Sequence, residues 1–281
     1  MSAATAARRS WPPVIVLALV WVGLIVVVVT FADLLAPRNY QAMDLRARLA
    51  PPAGFGGSLA HLLGTDELGR DVFSRLLASI RVSMLVGVAG TLIGSVFGTA
   101  LGFLAAHFRG WFDDAVMMLV DAQAAIPFIV VALTVIGFFG NSLTLFVIVV
   151  GLHGWQTYAR LARGMALSIV RRGYINAVVA LGAQPAQVYL RHVLPNVAGV
   201  LIVNATISLP EVILLETALS FLGLGIQPPL SSLGNMLSYG RSYLGTAWWI
   251  AVLPGVVLSL TTLAVSLVGD WVRDRMDPSL R

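Results

Sequence analysis

The sequence predicts an all-α polytopic membrane protein with six transmembrane helices and both termini on the cytoplasmic side. Three observations carry that expectation. Of 281 residues, 58% are hydrophobic and only 11% charged, with a mean hydropathy of +0.88, whereas a soluble domain is about one-quarter charged. Six stretches reach the roughly 20 apolar residues that a helix needs to cross about 30 Å of hydrocarbon, and an even count puts both ends on one side. The arginines then choose the side: residues 8, 9, 109, 160, 163, 171, 172, 191, 273, 275 and 281 fall inside, eleven against seven outside, as the positive-inside rule requires.

Composition also excludes whole classes of chemistry. Lys+Arg 18 against Asp+Glu 13 gives a formal charge of +5, and all eighteen basic residues are arginine. Without lysine there is neither a Walker A phosphate loop nor Schiff-base chemistry. The absence of cysteine removes disulfides, thiolate nucleophiles and thiolate metal centres. His61, His107, His153 and His192 are scattered and form no HExxH motif, so no metal site is expected. The arginines flank apolar runs and do not cluster with aromatics, which points to membrane topology and lipid contact, not to nucleic acid.

The first span, 14–35, is longer than the roughly 7 to 15 apolar residues of a secretory signal, so residues 1–35 read as a tail and an uncleaved helix. An external loop follows over 36–81. Its arginines sit among Asp44, Asp66, Glu67 and Asp71, and the run from Asp66 to Asp71 is expected to cap and solvate a short helix at the membrane surface. Residues 82–281 form a five-helix core. The second span, 82–106, carries Gly90, Gly94, Gly98 and Gly102, a four-residue stripe that lets another helix approach closely, in this chain or in a partner. The third, 115–140, contains Asp121 and Pro127. The fourth, 142–159, ends with Trp155 and Tyr158, read as interfacial anchors. The fifth and sixth cover 193–215 and 248–269. Function is expected in the long connections, 36–81, 160–195 and 220–247.

In the cytoplasmic connection Tyr174, Ala177, Val178 and Leu181 fall at i, i+3, i+4 and i+7, one apolar helical face. Gly182 bends the chain, Pro185 opens a second short helix, and Pro195 is expected to end it where the next span begins. Such a bent pair suits docking in a groove on another protein. It equally suits lying on the lipid interface beside Arg171 and Arg172.

This connection resembles the EAA loop of ABC-importer permeases, with Gly182 and the pair Leu194-Pro195 in the matching places. GTDELGRDVFSRLL (64–77), ETALSFLGLG (216–225) and GDWVRDRMDPSLR (269–281) resemble, in order, the C-type permease subunit of dipeptide and oligopeptide importers. The likeness covers nearly the whole chain. Three positions depart from it: Asn176 stands where the family has its acid, Val178 where it has a small residue, and Gln184 is a weaker cap than the usual Ser or Asp. The resemblance implies the type I importer permease fold in the bacterial inner membrane, and no catalytic site in this chain. It implies a paralogous permease completing one pathway, two partner ATPases that bind ATP and magnesium and grip the loops, and an external binding protein. Dipeptides or oligopeptides are the implied cargo, with nickel, glutathione or another small solute as alternatives. The ATPase-coupling residues would be Tyr174, Asn176, Ala177, Val178, Leu181, Gly182 and Arg191.

An acid inside the bilayer costs at least a few kcal/mol, so it faces a polar path or pairs within protein. Asp121, Glu211 and Glu216 therefore compete for two roles. The pathway role takes them with Pro127 and Pro210, each proline opening a helical turn near an acid; the packing role pairs each acid with a neighbouring helix or arginine. Two rivals need features that are missing. An intramembrane hydrolase needs a nucleophile beside its base, and only His153 lies within a span. A gradient-driven carrier is expected to show paired repeats, and none is evident.

Overall fold

The computed structural model describes residues 12–276; Arg8, Arg9, Arg281 and the closing residues 277–281 of the last motif lie outside the described residues. The helices are α1 (Pro13–Leu35), α2 (Val72–Phe108), α3 (Gly110–Ala125), α4 (Phe128–Phe139), α5 (Leu143–Gly151), α6 (Trp155–Val170), α7 (Gly173–Ala180), α8 (Pro185–Val188), α9 (Leu194–Phe221), α10 (Leu233–Arg241) and α11 (Trp249–Met276). Among the described residues the only strand-like pairing is one bridge between Thr65 and Asp71.

Helix α2 is the axis of the molecule. Its 37 residues make a rod of about 55 Å, and it starts ten residues before the expected span because Asp71 caps it, accepting from the Ser74 backbone N–H at 2.9 Å and its hydroxyl at 2.8 Å. The glycine stripe lies on this rod, and its partner is in this chain. A Cβ at Gly94 would meet the Gly151 carbonyl oxygen at 2.7 Å, one at Gly98 the Trp155 carbonyl and the Tyr158 Cβ, and one at Gly102 the Ala162 Cβ at 3.0 Å. The partner positions advance in step with the glycines. The stretch from α5 through α6 therefore runs parallel to α2, a close backbone approach that only glycine permits.

The expected fourth span, 142–159, is not one helix. It breaks at Leu152, His153 and Gly154, leaving a nine-residue α5 and an amphipathic α6. Trp155 and Tyr158 are not interfacial anchors either: they are 7% and 1% exposed, because both face the glycine stripe. The third expected span is likewise divided, with α3 and α4 meeting at 95° where Pro127 opens α4. Among the described residues four helices are long and apolar enough to cross a membrane by themselves, and the bent pair makes a fifth if counted as one.

Pro195 does not end a helix. The chain from Pro185 to Phe221 is a single 37-residue helix, and the turn Tyr189–Val193 is π-helical, with the Leu194 N–H donating to the Tyr189 carbonyl five residues back. That widened turn leaves room for the proline ring and its missing N–H. The expected unwinding at Pro210 is also absent: α9 continues through it.

Directions follow from the contacts. Gly87 and Gly90 of α2 face Ile213 and Val212, while Phe103 meets Tyr189 at 5.5 Å, so α9 is antiparallel to α2. Gly199 faces Met276 and Gly269 faces Thr206, so α11 is antiparallel to α9. Asp33 of α1 pairs with Arg81 at 2.7 Å, and Trp21 donates to the Thr261 hydroxyl at 3.1 Å, so α1 is antiparallel to α11. The start of α1 and the end of α11 consequently share the end of the bundle that carries α7 and α8.

At the other end the connections 36–71 and 222–248 form one folded cap. The run from Asp66 to Asp71 is not a solvated helix. Asp66 is fully buried, accepting from the Leu68 and Arg70 backbone N–H groups at 2.8 and 2.9 Å, from Arg70 Nε at 2.7 Å and from Arg75. Gly69 has φ +71°, and a side chain there would strike the Asp44 carbonyl. Trp249 Nε1 donates to the Thr65 carbonyl at 3.0 Å and Ser79 to Ser231 at 2.9 Å, which ties both connections to the start of α2.

Candidate functional site

Two features stand out from the regular packing. The first is the turn between α7 and α8. Gly182 has φ +90°, the left-handed conformation that glycine supplies at a helix end. Leu181 is 89% exposed and Tyr174 43%, while Asn176, Ala177 and Arg191 are exposed and Val178 half-buried. The face predicted from periodicity thus points outward. It is braced by Ile175, which is 1% exposed and packs with Val188, Val193 and Val197. Gln187 accepts from the Gln184 backbone N–H at 3.3 Å, so the weak cap is helped from within the next turn.

The second feature is a polar junction where the two helix breaks face each other. Gln123 of α3 reaches across to the carbonyls freed by the α5–α6 break, donating to Leu152 at 2.9 Å and His153 at 3.4 Å, and its own oxygen accepts from Trp155 Nε1. Phe128, just past the α3–α4 bend, meets the His153 ring at 4.7 Å. The charge of Glu211, from α9, acts on both His153 and Tyr158, and Tyr158 also faces Ser208 and Asn204. His153 Nδ1 is buried without a hydrogen-bond partner. The junction sits beside Gly94, the midpoint of the apolar stretch 82–106. Irregular backbone at membrane depth is tolerated where protein buries it or where it lines a polar cavity.

Comparison with known proteins decides what this arrangement belongs to. Residues 98–281 match the family described as the binding-protein-dependent transport system inner membrane component. The chain belongs to that family. The permease is 38% identical to the di/tripeptide transport system permease protein DppC of Pseudomonas aeruginosa, over 94% of this chain and 87% of that protein. It is 38% identical to the glutathione transport system permease protein GsiD of Pectobacterium atrosepticum, over 80% and 75%, and 34% identical to the oligopeptide permease protein OppC of Haemophilus influenzae, over 95% and 85%. Among solved structures, an inward-facing MetNI methionine ABC transporter matches with a TM-score of 0.57 at 22% identity, covering 72% of this chain and 96% of that one. This is the importer permease fold.

Within the permease the three acids part company. Glu216 is fully buried; its carboxylate accepts from Ser220 at 2.7 Å and is approached by Thr217, Ser83 and Ser232. It therefore ties α9 to α2 and the cap. Asp121 pairs with Arg160 of α6 at 3.2 Å, both side chains more than half exposed. Glu211 is exposed, and its charge reaches His153 from α9. Pro127 makes the bend that brings Phe128 there, whereas Pro210 is buried inside an unbroken helix. Sequence reasoning missed Gln123, Ile175 and the contact of His153 with Phe128. Gly154 was the one available signal, a flexible residue within an apolar run.

Proposed function

We propose that the permease is one half of an ATP-driven importer of dipeptides or oligopeptides in the bacterial inner membrane. In this reading the chain crosses six times, the broken 143–170 stretch being one crossing, and both termini and α7 are cytoplasmic. A paralogous permease completes the pathway, an external binding protein meets the cap, and two ATP-binding subunits with their magnesium and ATP grip the α7 turns. This chain contributes no catalytic site. Peptide cargo is supported by the names of its relatives; glutathione, itself a small peptide, is the nearest alternative.

The observation that carries the coupling is the outward apolar knob of Leu181 and Tyr174 on a turn rooted by Ile175. The knob hangs between α6 and the long helix that becomes α9, so force on it moves two membrane elements together. A contact transmits work only if it differs between the two states of its partner, and a rigid root makes that difference felt. Leu181→Glu is expected to cut ATP-driven uptake in proteoliposomes by about tenfold or more, the loss typical of a central apolar anchor, with the chain still folded in the membrane. Unchanged uptake would remove α7 as the coupling element.

At the junction, Glu211 offers an acidic group to the amino ends of passing peptides. In Glu211→Gln, uptake of peptides with a free amino terminus is expected to fall several-fold more than uptake of peptides with a blocked one, the difference a lost charge-assisted hydrogen bond makes. Equal loss for both would return Glu211 to a packing role.

A further inference from the structure

The cap contains a cavity of about 580 Å³ that the coupling and the junction do not use. It opens where the two outer connections meet, between Tyr40 on one side, Pro229 and Tyr239 on another, and the Glu67–Arg70 pair. Its size falls in the range of small-molecule sites, about 300–1,000 Å³.

The wall is electrostatically lopsided. Glu67, Arg70 and Arg75 line the cavity, and Asp66, which does not, accepts from both guanidiniums. Glu67 pairs with Arg70 through one oxygen at 3.0 Å. Its other oxygen, Oε2, is buried and has no hydrogen-bond donor. A buried acceptor without a donor costs about 1–3 kcal/mol, which a ligand with an N–H group would relieve. Glu67 itself lines the cavity beside Arg70. Of the opposite wall, Pro228 and Pro229 have no N–H to offer, and the Pro229 carbonyl already accepts from Gln41 Nε2 at 3.5 Å. The cavity thus sets one carboxylate with a donor-free oxygen beside the phenols of Tyr40 and Tyr239, while the guanidiniums of Arg70 and Arg75 that also line it are held by Asp66.

We propose that this cavity is a receiving site for the ammonium end of a short peptide, with Glu67 as its acceptor and Tyr40 and Tyr239 flanking the first side chain. The proposal rests on the peptide reading above. It adds an outer station to the pathway, well before the junction at Glu211.

The test uses the whole importer in nanodiscs without binding protein, and the photoreactive dipeptide alanyl-p-benzoylphenylalanine as probe. Label is expected within residues 39–46 or 228–241. Unlabelled alanyl-phenylalanine should displace it about tenfold better than the N-acetyl form, the difference one charge-assisted hydrogen bond makes, and Glu67→Gln should abolish that preference. Met43→Trp, which fills the cavity while leaving Glu67 and Arg70 alone, should block labelling, and it decides the matter if the Glu67 variant does not assemble. Labelling elsewhere, equal displacement by both competitors, or full labelling of Met43→Trp overturns the site. Uptake of alanyl-phenylalanine by wild-type proteoliposomes with binding protein separates the two failures: uptake without cavity labelling sinks the site alone, and no uptake sinks the peptide reading with it.

Discussion

Gly98→Ala is expected to eliminate the assembled permease, although a single methyl is added and alanine is the better helix former by about 1 kcal/mol. The new Cβ would overlap the Trp155 carbonyl oxygen and lie 2.8 Å from the Tyr158 Cβ. A backbone carbonyl cannot swing aside as a side-chain end can, so α2 and α6 must separate along the contact from Gly90 to Gly102. Separation withdraws Trp155 from the Gln123 oxygen and opens the junction that α3 closes. Overpacking by a methylene typically costs about 1–3 kcal/mol when side chains can yield; with backbone on both sides we expect the upper end or beyond, a large part of a stability of about 5–15 kcal/mol. Gly164→Ala is the control, because nothing lies within 4 Å of a Cβ there and the propensity gain is the same. The measurement is the yield and melting temperature of the monodisperse importer complex for both variants. Parental behaviour of Gly98→Ala would mean that the stripe is not a contact surface.

That prediction shows what a sequence can and cannot disclose. The stripe was legible because four glycines at four-residue spacing leave little else to explain them, but its partner was not, since the α5–α6 surface bears no matching motif. Gly182 was legible for a related reason: a glycine closing a periodic face forecasts its own left-handed turn. Prolines were read less well. Pro127 broke its helix, Pro195 was absorbed by a π-helical turn and Pro210 by continuous helix. The same residue type has three outcomes because neighbouring helices decide whether the lost hydrogen bond is tolerated. Glu216 and Asp121 looked alike as intramembrane acids, and only the tertiary structure distinguishes a carboxylate ringed by hydroxyls from one paired with arginine on an open face. The family resemblance named the architecture correctly, yet it could not show that two helix breaks meet at one depth, because neither break carries a signature beyond Pro127 and Gly154.

Asp66 holds the cap together. In Asp66→Ala, Arg75, which is 3% exposed, would be buried with its acceptor removed, Arg70 would keep only Glu67, and the Leu68 and Arg70 backbone N–H groups would lose theirs. Breaking a buried ion pair by deleting one partner costs about 3–5 kcal/mol, more than the pair itself contributes, and two unsatisfied N–H groups add about 1–3 kcal/mol each. Asp66→Asn retains an oxygen for the backbone N–H groups and should fall between parent and alanine variant. The unfolding is expected to begin locally, because Gly64 and Gly69 hold left-handed turns there and the Thr65 carbonyl anchors Trp249 of α11. Limited proteolysis from the cap side should then cut within residues 44–70 in the alanine variant before the helices melt. Adding Arg75→Leu to Asp66→Ala removes the stranded charge and should restore part of the lost stability, since an apolar pair often replaces a buried ion pair without loss. If the single variant resists protease as the parent does, or the second substitution makes matters worse, then Arg75 is not stranded by the loss of Asp66, and the cap is held by its apolar contacts instead.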